Sequence, residues 1–403
     1  MRIALTLGAA VVALSAGTAQ AAFTGDKIKI GVLNDGSGVY ADTSGQGGVI
    51  AAKLAAQDVG GNVNGTPIEV VYADHQNKPD VGANIARQWI DTEGVDIIID
   101  VNNSAVALAV NEVAREKNKP FIDSGAGSSD LTGPKCSPDT IHWTYDNWSL
   151  AHGTGKTMVQ QGNNTWFFIT ADYAFGHDLQ KQTAAVVEAN GGKVLGSVNV
   201  PLSTPDFSSF LLQAQSSGSK VIGLANAGGD TVNSVKQAHE FGIVQGGQQL
   251  AALLMFTTDV HGLGLETAQG LVFTTAFYWD FNDTTRAFAK KIAEGNRGIY
   301  PTMDVAGVYG GTLAYLKALK ELGDDSDGKK VVDKMKSMEF DDPLFGKVKV
   351  RQDGRAIHDM YLMEVKKPAE SKYPWDYEKV RAKIPADEAF RPLNEGNCPL
   401  VKG

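Results

Sequence analysis

The sequence has little cysteine and no excess of positive charge. Only 2 of its 403 residues are cysteine, which excludes a small fold held together by many disulfides. Lysine and arginine number 37 against 46 aspartate and glutamate residues, so the formal net charge is −9. Such a protein has no basic field with which to bind a phosphate backbone or an anionic membrane surface. We therefore expect no nucleic-acid partner.

Long apolar runs are also missing, apart from the first residues. Met1-Arg2 precedes an apolar run over residues 3–14, and the small residues of Ala19-Gln20-Ala21 follow. This order is typical of a secretory signal peptide and predicts cleavage after Ala21. The run is shorter than the roughly 20 residues that a membrane-spanning helix needs. A retained membrane anchor is the alternative to a cleaved signal peptide. We expect an exported mature protein.

The two cysteines, Cys136 and Cys398, lie in proline-containing segments that are typical of loops. In an exported protein two such cysteines are expected to form a disulfide, which would tie down the C-terminal tail. Two unpaired buried thiols are the alternative. Neither cysteine has a second cysteine or a histidine at ligand spacing, so the sequence predicts no metal site.

Motifs for catalysis and cofactor binding are missing as well. No serine has the Gly-x-Ser-x-Gly spacing of a hydrolase nucleophile, and the 7 histidines are scattered without a His-Glu-x-x-His pair. Residues 36–41 formally fit a dinucleotide fingerprint, but no helix follows at once. We interpret them as a glycine-loosened loop after the first strand. The sequence predicts neither an enzyme nor a cofactor.

The sequence does contain a regular alternation of strand and helix patterns. Short aliphatic runs, such as residues 27–33 and 95–99, alternate with segments of helical spacing, such as 105–117. Near-continuous aliphatic strands separated by helices indicate a parallel sheet that is covered on both faces. A second series of the same kind begins near residue 148. The predicted fold class is therefore α/β, with two doubly wound parallel sheets.

Two polar segments follow neighbouring strands of the first series. Asn102-Asn103-Ser104 ends one predicted strand and opens a helix, and the serine- and glycine-rich residues 123–132 follow the next strand. Ligands of open α/β sheets bind at the carboxyl ends of the strands, where hydroxyls, amides and helix N-termini can face a carboxylate. The two segments predict a carboxylate-binding site, with ordinary helix caps and turns as the alternative.

The chain resembles the exported solute-binding proteins of ATP-driven importers, in the branch typified by the Leu/Ile/Val-binding protein. The segments that carry the resemblance are 28–40, which ends in Ser37-Gly38-Val39-Tyr40, then 65–74, 120–132, 172–176 (Asp-Tyr-Ala-Phe-Gly) and 309–319. The resemblance implies two similar α/β lobes that are joined by a three-strand hinge and enclose the ligand between them.

The lobe boundaries follow from the same resemblance. It implies a first lobe of residues 22–142 plus 278–342 and a second lobe of residues 143–277 plus 343–403. The three crossings between the lobes would fall near residues 142–145, 274–278 and 340–345.

The resemblance also implies a ligand site. By position, Asn103, Ser104, Ala126 and Ser128 receive the ligand carboxylate. Asp259 falls where amino-acid binders carry the acid that pairs with the ligand ammonium group. The other residues that the resemblance places around the ligand are Tyr40, Gly127, Tyr173, Phe175, Asn226, Ala227, Tyr278 and Trp279.

Departures from the family pattern concern the identity of the ligand. Ala225-Asn226-Ala227 stands where amino-acid binders carry a tyrosine and leaves more room, and Tyr278-Trp279 adds rings at a crossing. Aromatic walls favour a flat ring, as in relatives that take up aromatic carboxylic acids. The alternative is that Trp279 packs under the hinge. An aromatic acid and a branched-chain or other amino acid are both candidates.

The implied function is the capture of a small carboxylate-bearing solute by hinge closure, as the periplasmic component of an ABC importer. The implied partners are the solute and a membrane permease, and we expect a monomer. A sensor that presents its ligand to a receptor would use the same fold. An exported hydrolase is a further alternative, but it needs a nucleophile with a base in reach, which the residue spacing does not supply.

Overall fold

The computed structural model of the chain describes residues 23–402. The predicted signal peptide, residues 1–21, lies outside the described residues. The chain forms two lobes, each built on a parallel sheet, so the predicted α/β class is confirmed. Over residues 23–402, no helix combines the length and the apolar character that crossing a membrane requires.

The first lobe opens with strands and helices in alternation. They are β1 (Ile28–Asn34), α1 (Gly45–Asp58), β2 (Asn62–Val63), β3 (Thr66–Asp74), α2 (Pro79–Gln88), β4 (Ile97–Asp100), α3 (Ser104–Lys117), β5 (Phe121–Asp123) and β6 (Thr140–His142). The sheet order is β2-β3-β1-β4-β5-β6, and β1 pairs in parallel with both β3 and β4. The loops after β1 and β4 therefore turn to opposite faces of the sheet and leave a crevice between them.

The second lobe repeats this plan. Its elements are α4 (Asn147–Leu150), α5 (Lys156–Gln160), β7 (Thr165–Ala171), α6 (Ala174–Ala189), β8 (Lys193–Val200), α7 (Ser208–Ser216), β9 (Val221–Ala225), α8 (Gly229–Glu240), β10 (Gln249–Ala252), α9 (Thr257–Leu263), α10 (Leu265–Ala268) and β11 (Val272–Thr275). The parallel sheet has the order β10-β9-β7-β8. The strand order reverses at β7, so the loops after β7 and β9 border a second crevice.

The chain then returns to the first lobe. The returning elements are α11 (Asp283–Gly295), α12 (Met303–Leu322), α13 (Gly328–Ser337), β12 (Glu339–Asp342), β13 (Gly346–Val350) and β14 (Ala356–Ile357). Helix α12 packs along α1, and β12 to β14 form an antiparallel sheet that a bridge from Arg355 to His142 joins to β6.

The boundary that we predicted between residues 342 and 343 falls inside the β12–β13 hairpin, whose strands pair from Glu339 with Lys349 to Asp342 with Gly346. A hairpin cannot be divided between two lobes without breaking this ladder. We therefore place the third crossing after β14.

The last strands and the tail belong to different lobes. The remaining elements are β15 (Met360–Val365), β16 (Glu378–Ile384) and α14 (Ala386–Ala389). β15 pairs with β11 and β16, which continues the second lobe. The tail then contacts the first lobe, because Cys398 forms a disulfide with Cys136 and Arg391 donates to the carbonyl of Ser129 (3.0 Å). The predicted disulfide is confirmed.

A buried arginine just before β14 and the third crossing is bonded to the first crossing. Arg355 is 0% exposed, and its guanidinium donates to the carbonyls of Thr144 (2.7 Å) and Tyr145 (3.2 Å). It also lies 3.6 Å from a carboxylate oxygen of Asp146. Burial lowers the pKa of Arg355 to about 10, so the side chain still carries its charge at neutral pH. His358, after β14, adds a contact of 2.9 Å to the carbonyl of Trp143.

We predict that Arg355→Met lowers the free energy of unfolding by about 3–5 kcal/mol, because the variant leaves Asp146 and two carbonyls buried without their partner. Denaturant unfolding measures this loss. The matched control is Arg286→Ala, whose exposed ion pairs with Asp280 and Asp283 should contribute less than about 1 kcal/mol. Equal losses in the two variants would contradict the assigned role of Arg355.

Candidate functional site

A cavity lies between the two lobes, at the crevices of both sheets. In this closed form its free volume is about 10 Å³, room for about one water molecule. Eight of the residues predicted from the sequence line it, namely Tyr40, Asn103, Ser104, Ala126, Gly127, Tyr173, Phe175 and Ala227. Further lining residues are Asn102 and Gly125, which lie in the two predicted polar segments, and Thr43, Tyr145, Leu254, Phe256 and Asp304, which the sequence analysis did not assign to the ligand.

Two side chains fix the loop between β1 and α1 against the end of β4. The carboxylate of Asp35 accepts hydrogen bonds from the backbone N–H groups of Gly38 (2.7 Å) and Tyr40 (2.9 Å). Asn102 accepts from the N–H of Asp35 (2.7 Å) and donates to the carbonyl of Tyr40 (2.9 Å). This arrangement holds the Tyr40 ring at the cavity wall.

The backbone at the end of β4 is in an unusual conformation. Asp100 and Val101 have φ angles of 89° and 61°, in the left-handed region that β-branched residues rarely adopt. A strained backbone of this kind persists only where surrounding contacts hold it in place, and such residues cluster at functional sites. Here they turn the chain so that Asn102, Asn103 and Ser104 all reach the cavity.

Ser104 presents an unused hydroxyl to the cavity. It is 1% exposed, and no residue of the described chain is a hydrogen-bond partner of its Oγ atom. It occupies the first position of α3, where the backbone N–H has no acceptor within the helix. The neighbouring Asn103 side chain is occupied, because it accepts from the N–H groups of Ala105 and Val106 as the helix cap. Ser104 is therefore a ready donor for a ligand oxygen.

The lobes are closed around the cavity and bonded to each other. The hydroxyls of Tyr40 in the first lobe and Tyr173 in the second lie 2.7 Å apart, and the N–H of Gly229 donates to the carbonyl of Val39 (2.9 Å). Gly127 allows this close approach, since a Cβ atom there would lie 2.9 Å from the Phe175 ring. The structure thus represents the closed form of the cleft.

Asp304 is the charged residue of the cavity wall. It is 0% exposed, lies in the first turn of α12, and neither of its carboxyl oxygens makes a hydrogen bond to the described residues. The nearby hydroxyl of Thr43 donates instead to the carbonyl of Tyr40 (3.1 Å). The lining contains no lysine, arginine or histidine. The cavity therefore offers a buried carboxyl that none of the described lining residues pairs with.

The surroundings of Asp304 are themselves acidic. Burial raises the pKa of Asp304 well above its ordinary value, and the carboxyls of Asp100, Asp123 and Asp259 raise it further. Burial also raises the pKa of Asp100 to about 6, although Asn34 donates to its carboxylate (2.8 Å). A cation in the cavity would relieve this accumulation of buried carboxyls.

Three predicted ligand residues have other partners. Ser128 caps a short helical turn by accepting from the N–H of Asp130, and Asn226, which precedes α8, accepts from the hydroxyl of Thr231 in that helix (2.8 Å). The carboxylate of Asp259 accepts from the N–H of Phe256 (3.0 Å), and burial raises its pKa to about 7. Asp259 therefore positions the Phe256 ring at the cavity wall, while Asp304 contributes the carboxyl that faces the cavity.

Tyr278 and Trp279 line a second cavity on the hinge side of the first. Their polar groups both approach the carbonyl of Trp375, at 3.4 Å from the Tyr278 hydroxyl and 3.0 Å from Trp279 Nε1. Phe256 lines both cavities and stands between them. The alternative interpretation of Trp279, a ring packed under the hinge, agrees with its bond to the Trp375 carbonyl. It does not account for the contribution of Trp279 to a cavity wall.

Asp304 is the main residue of the cavity wall that sequence analysis missed. Asn102, in contrast, lay in a segment already predicted to face the ligand. Asp304 lies in the first turn of α12, two residues after its N-cap Thr302, where an acidic residue ordinarily stabilises the helix dipole. The return of α12 to the first lobe, which brings Asp304 to the cleft, depends on contacts with α1 that are remote in the chain.

A family model for periplasmic binding proteins matches residues 27–372. The chain therefore belongs to the periplasmic binding protein family, and the sequence-based assignment is confirmed. A Leu/Ile/Val-binding protein homolog of Brucella melitensis is 27% identical over 383 residues, which cover 92% of this chain and 95% of the relative.

Solved structures share both the fold and the sequence pattern. A periplasmic binding protein of Burkholderia mallei is 54% identical, with a TM-score of 0.91, over 94% of this chain and 100% of that chain. A branched-chain amino acid ABC transporter ligand-binding protein of Burkholderia xenovorans is 40% identical (TM-score 0.82; 93% and 100%). A solute-binding protein of Rhodopseudomonas palustris in complex with p-hydroxybenzoic acid is 25% identical (TM-score 0.81; 89% and 97%). The fold is that of type I periplasmic binding proteins.

We predict that Ser104→Ala weakens the binding of a carboxylate-bearing solute by about 1–3 kcal/mol, since the carboxylate loses a buried donor. Isothermal titration calorimetry measures the change. Ser128→Ala is the matched control, because its hydroxyl caps a turn outside the cavity, and it should leave the affinity nearly unchanged. A larger loss in the control than in Ser104→Ala would remove Ser104 from the site.

Proposed function

We propose that the chain is the exported solute-binding component of an ABC importer and that its solute carries both a carboxylate and a protonated nitrogen. The carboxylate faces the Ser104 hydroxyl and the N-terminal end of α3, and the nitrogen faces Asp304. The observation that carries the proposal is the buried, unpartnered carboxyl of Asp304 in a cavity without a basic side chain. An amino acid has both groups.

The charge balance of the cavity favours an amino acid over an aromatic acid. An ionised carboxylate placed beside Asp304 would add a second buried negative charge, which is costly in a site of low dielectric. A zwitterion brings its own counter-charge. The similarity to the branched-chain amino acid protein of Burkholderia xenovorans supports the same class of solute.

An aromatic acid is the second candidate, and the cavity walls favour it. Rings of Tyr40, Tyr145, Tyr173, Phe175 and Phe256 surround the space, and a flat ligand ring could stack on them. The similarity to the Rhodopseudomonas palustris solute-binding protein, whose structure contains p-hydroxybenzoic acid, supports this candidate. In that case Asp304 must be protonated and donate a hydrogen bond to the ligand carboxylate, which its raised pKa allows.

Transport rather than sensing or hydrolysis is the role that we propose. The lobes close over the cavity through bonds such as that between Tyr40 and Tyr173, and closure of this kind exposes a new surface to a membrane permease. We propose cleavage of the signal peptide after Ala21, a periplasmic location and a monomeric state. Release of product from a candidate solute would instead support a hydrolase.

We predict that leucine binding strengthens as the pH rises and that benzoate binding weakens. A bound ammonium group favours the ionised form of Asp304, so the leucine complex holds fewer protons than the free protein, and its affinity rises with pH until Asp304 is ionised in both states. Benzoate binding needs a protonated Asp304 as the hydrogen-bond donor, so the affinity for benzoate falls as the pH rises. Titration calorimetry between about pH 5 and 9, in buffers of different ionisation heat, measures affinity and proton release.

Asp304→Asn should weaken leucine binding about tenfold or more and abolish its pH dependence, since the amide keeps the shape but not the charge. Benzoate should bind the variant at least as well as the original protein. If leucine and benzoate lose affinity equally, Asp304 does not recognise a cation. If small-angle scattering shows no compaction with any solute that binds, the proposal of a closing solute receptor fails.

A further inference from the structure

The second cavity is also a space between the lobes. Its walls come from the second lobe (Phe256, Phe273), from the second crossing (Tyr278, Trp279) and from the start of α12 in the first lobe (Met303). Like the first cavity, it has a free volume of only about 10 Å³ in this closed form. Because both lobes contribute walls, opening of the hinge opens both cavities together.

The two cavities adjoin each other. Phe256 lines both of them. The consecutive residues Met303 and Asp304 line the second and the first cavity respectively, and consecutive Cα atoms are only about 3.8 Å apart. The two cavities are therefore neighbours between the lobes, with Phe256 at their boundary.

Glu378 places a second unpartnered carboxyl in this space. It is 3% exposed, and its Oε1 atom has no hydrogen-bond partner among residues 23–402. The lining of the second cavity contains no lysine, arginine or histidine. Burial raises the pKa of Glu378 to about 8, and Thr257 and Lys366 offset part of that shift. The Oε1 atom of Glu378 thus lacks a hydrogen-bond donor. An occupant of the cavity could supply this donor.

The other walls are aromatic. The rings of Phe256, Phe273, Phe277, Tyr278 and Trp279 surround the space, and the bonds of Tyr278 and Trp279 to the Trp375 carbonyl fix two of the rings. Aromatic faces attract cations, and the attraction grows when water is excluded. An apolar occupant would leave Glu378 unpaired, whereas a cationic group would stabilise its ionised form.

We infer that the second cavity is a subsite for a cationic group, an amine or a guanidine, at the far end of an amino-acid solute. This inference rests on the proposed function, because the head group must occupy the first cavity. Tyr278 and Trp279, which sequence analysis placed at the ligand, then contact its side chain. The net charge of −9 favours the approach of such a solute.

Titration calorimetry with lysine, arginine and norleucine tests the subsite, since norleucine has the carbon chain of lysine without the terminal amine. The protein should bind lysine or arginine at least about tenfold more tightly than norleucine. Glu378→Gln should remove most of this preference and leave norleucine within about twofold of its original affinity. Equal affinities for the three solutes, or equal losses for all of them in Glu378→Gln, would overturn the inference.

Two further variants control for structural effects. Glu364→Gln, on the adjacent strand β15, removes a carboxylate that is paired with Lys379 and Arg381 outside the cavity and should leave the preference unchanged. Trp279→Phe keeps an apolar ring but weakens the attraction for a cation, so it should reduce lysine affinity about threefold and spare norleucine. Should Glu378→Gln fail to fold, this variant and the solute comparison in the original protein decide the matter.

The outcomes separate the subsite from the function on which it rests. If norleucine and leucine bind and compact the protein without any preference for lysine or arginine, the subsite is refuted and the proposed function stands. If none of these amino acids binds, while benzoate does, the assignment of an amino-acid solute fails and the subsite fails with it.

Discussion

A single buried guanidinium joins two of the three crossings on which the two-lobe arrangement depends. Arg355 immediately precedes β14 and the third crossing, and its hydrogen bonds to the carbonyls of Thr144 and Tyr145 tie this segment to the chain leaving β6. Because the crossings are held side by side, the lobes can rotate about them while each sheet stays intact. The position of every cavity residue relative to the opposite lobe follows from this constraint.

Buried carboxyls without a basic partner are the main chemical property of the cleft. Asp304 in the first cavity and Glu378 in the second are both buried, both unpartnered at an oxygen and both far above their ordinary pKa. Structural carboxyls at such depth are ordinarily paired, as Asp146 is with Arg355. Retaining two unpaired carboxyls costs stability in the empty closed form, and a bound cation recovers that cost. The cleft therefore suits a positively charged nitrogen. Its serine-rich loops alone do not indicate this preference.

The regular elements could be predicted because their signals are local. The aliphatic runs became β1, β4 and β7, and the helical spacing of residues 105–117 became α3, whose cap Asn103 also belongs to the predicted polar loop. The loops at the carboxyl ends of strands were predicted to line the site, and Ser104, Ala126 and Phe175 lie there. Asp259 illustrates the limit of such reasoning. Its position in the sequence suits a ligand contact, yet its carboxylate bonds to the N–H of Phe256 three residues away.

The sequence by itself determined the α/β class, the order of strands and helices, the cysteine pair and the loops that face the cleft, since each depends on residues that are near in the chain or on composition. Only the tertiary structure decided which carboxyl faces the solute. Asp304 reaches the cavity because α12 returns to pack on α1, and Glu378 reaches the second cavity because β16 pairs with β15. The free energy of burying a charge depends on everything around it, and those neighbours come from distant parts of the chain.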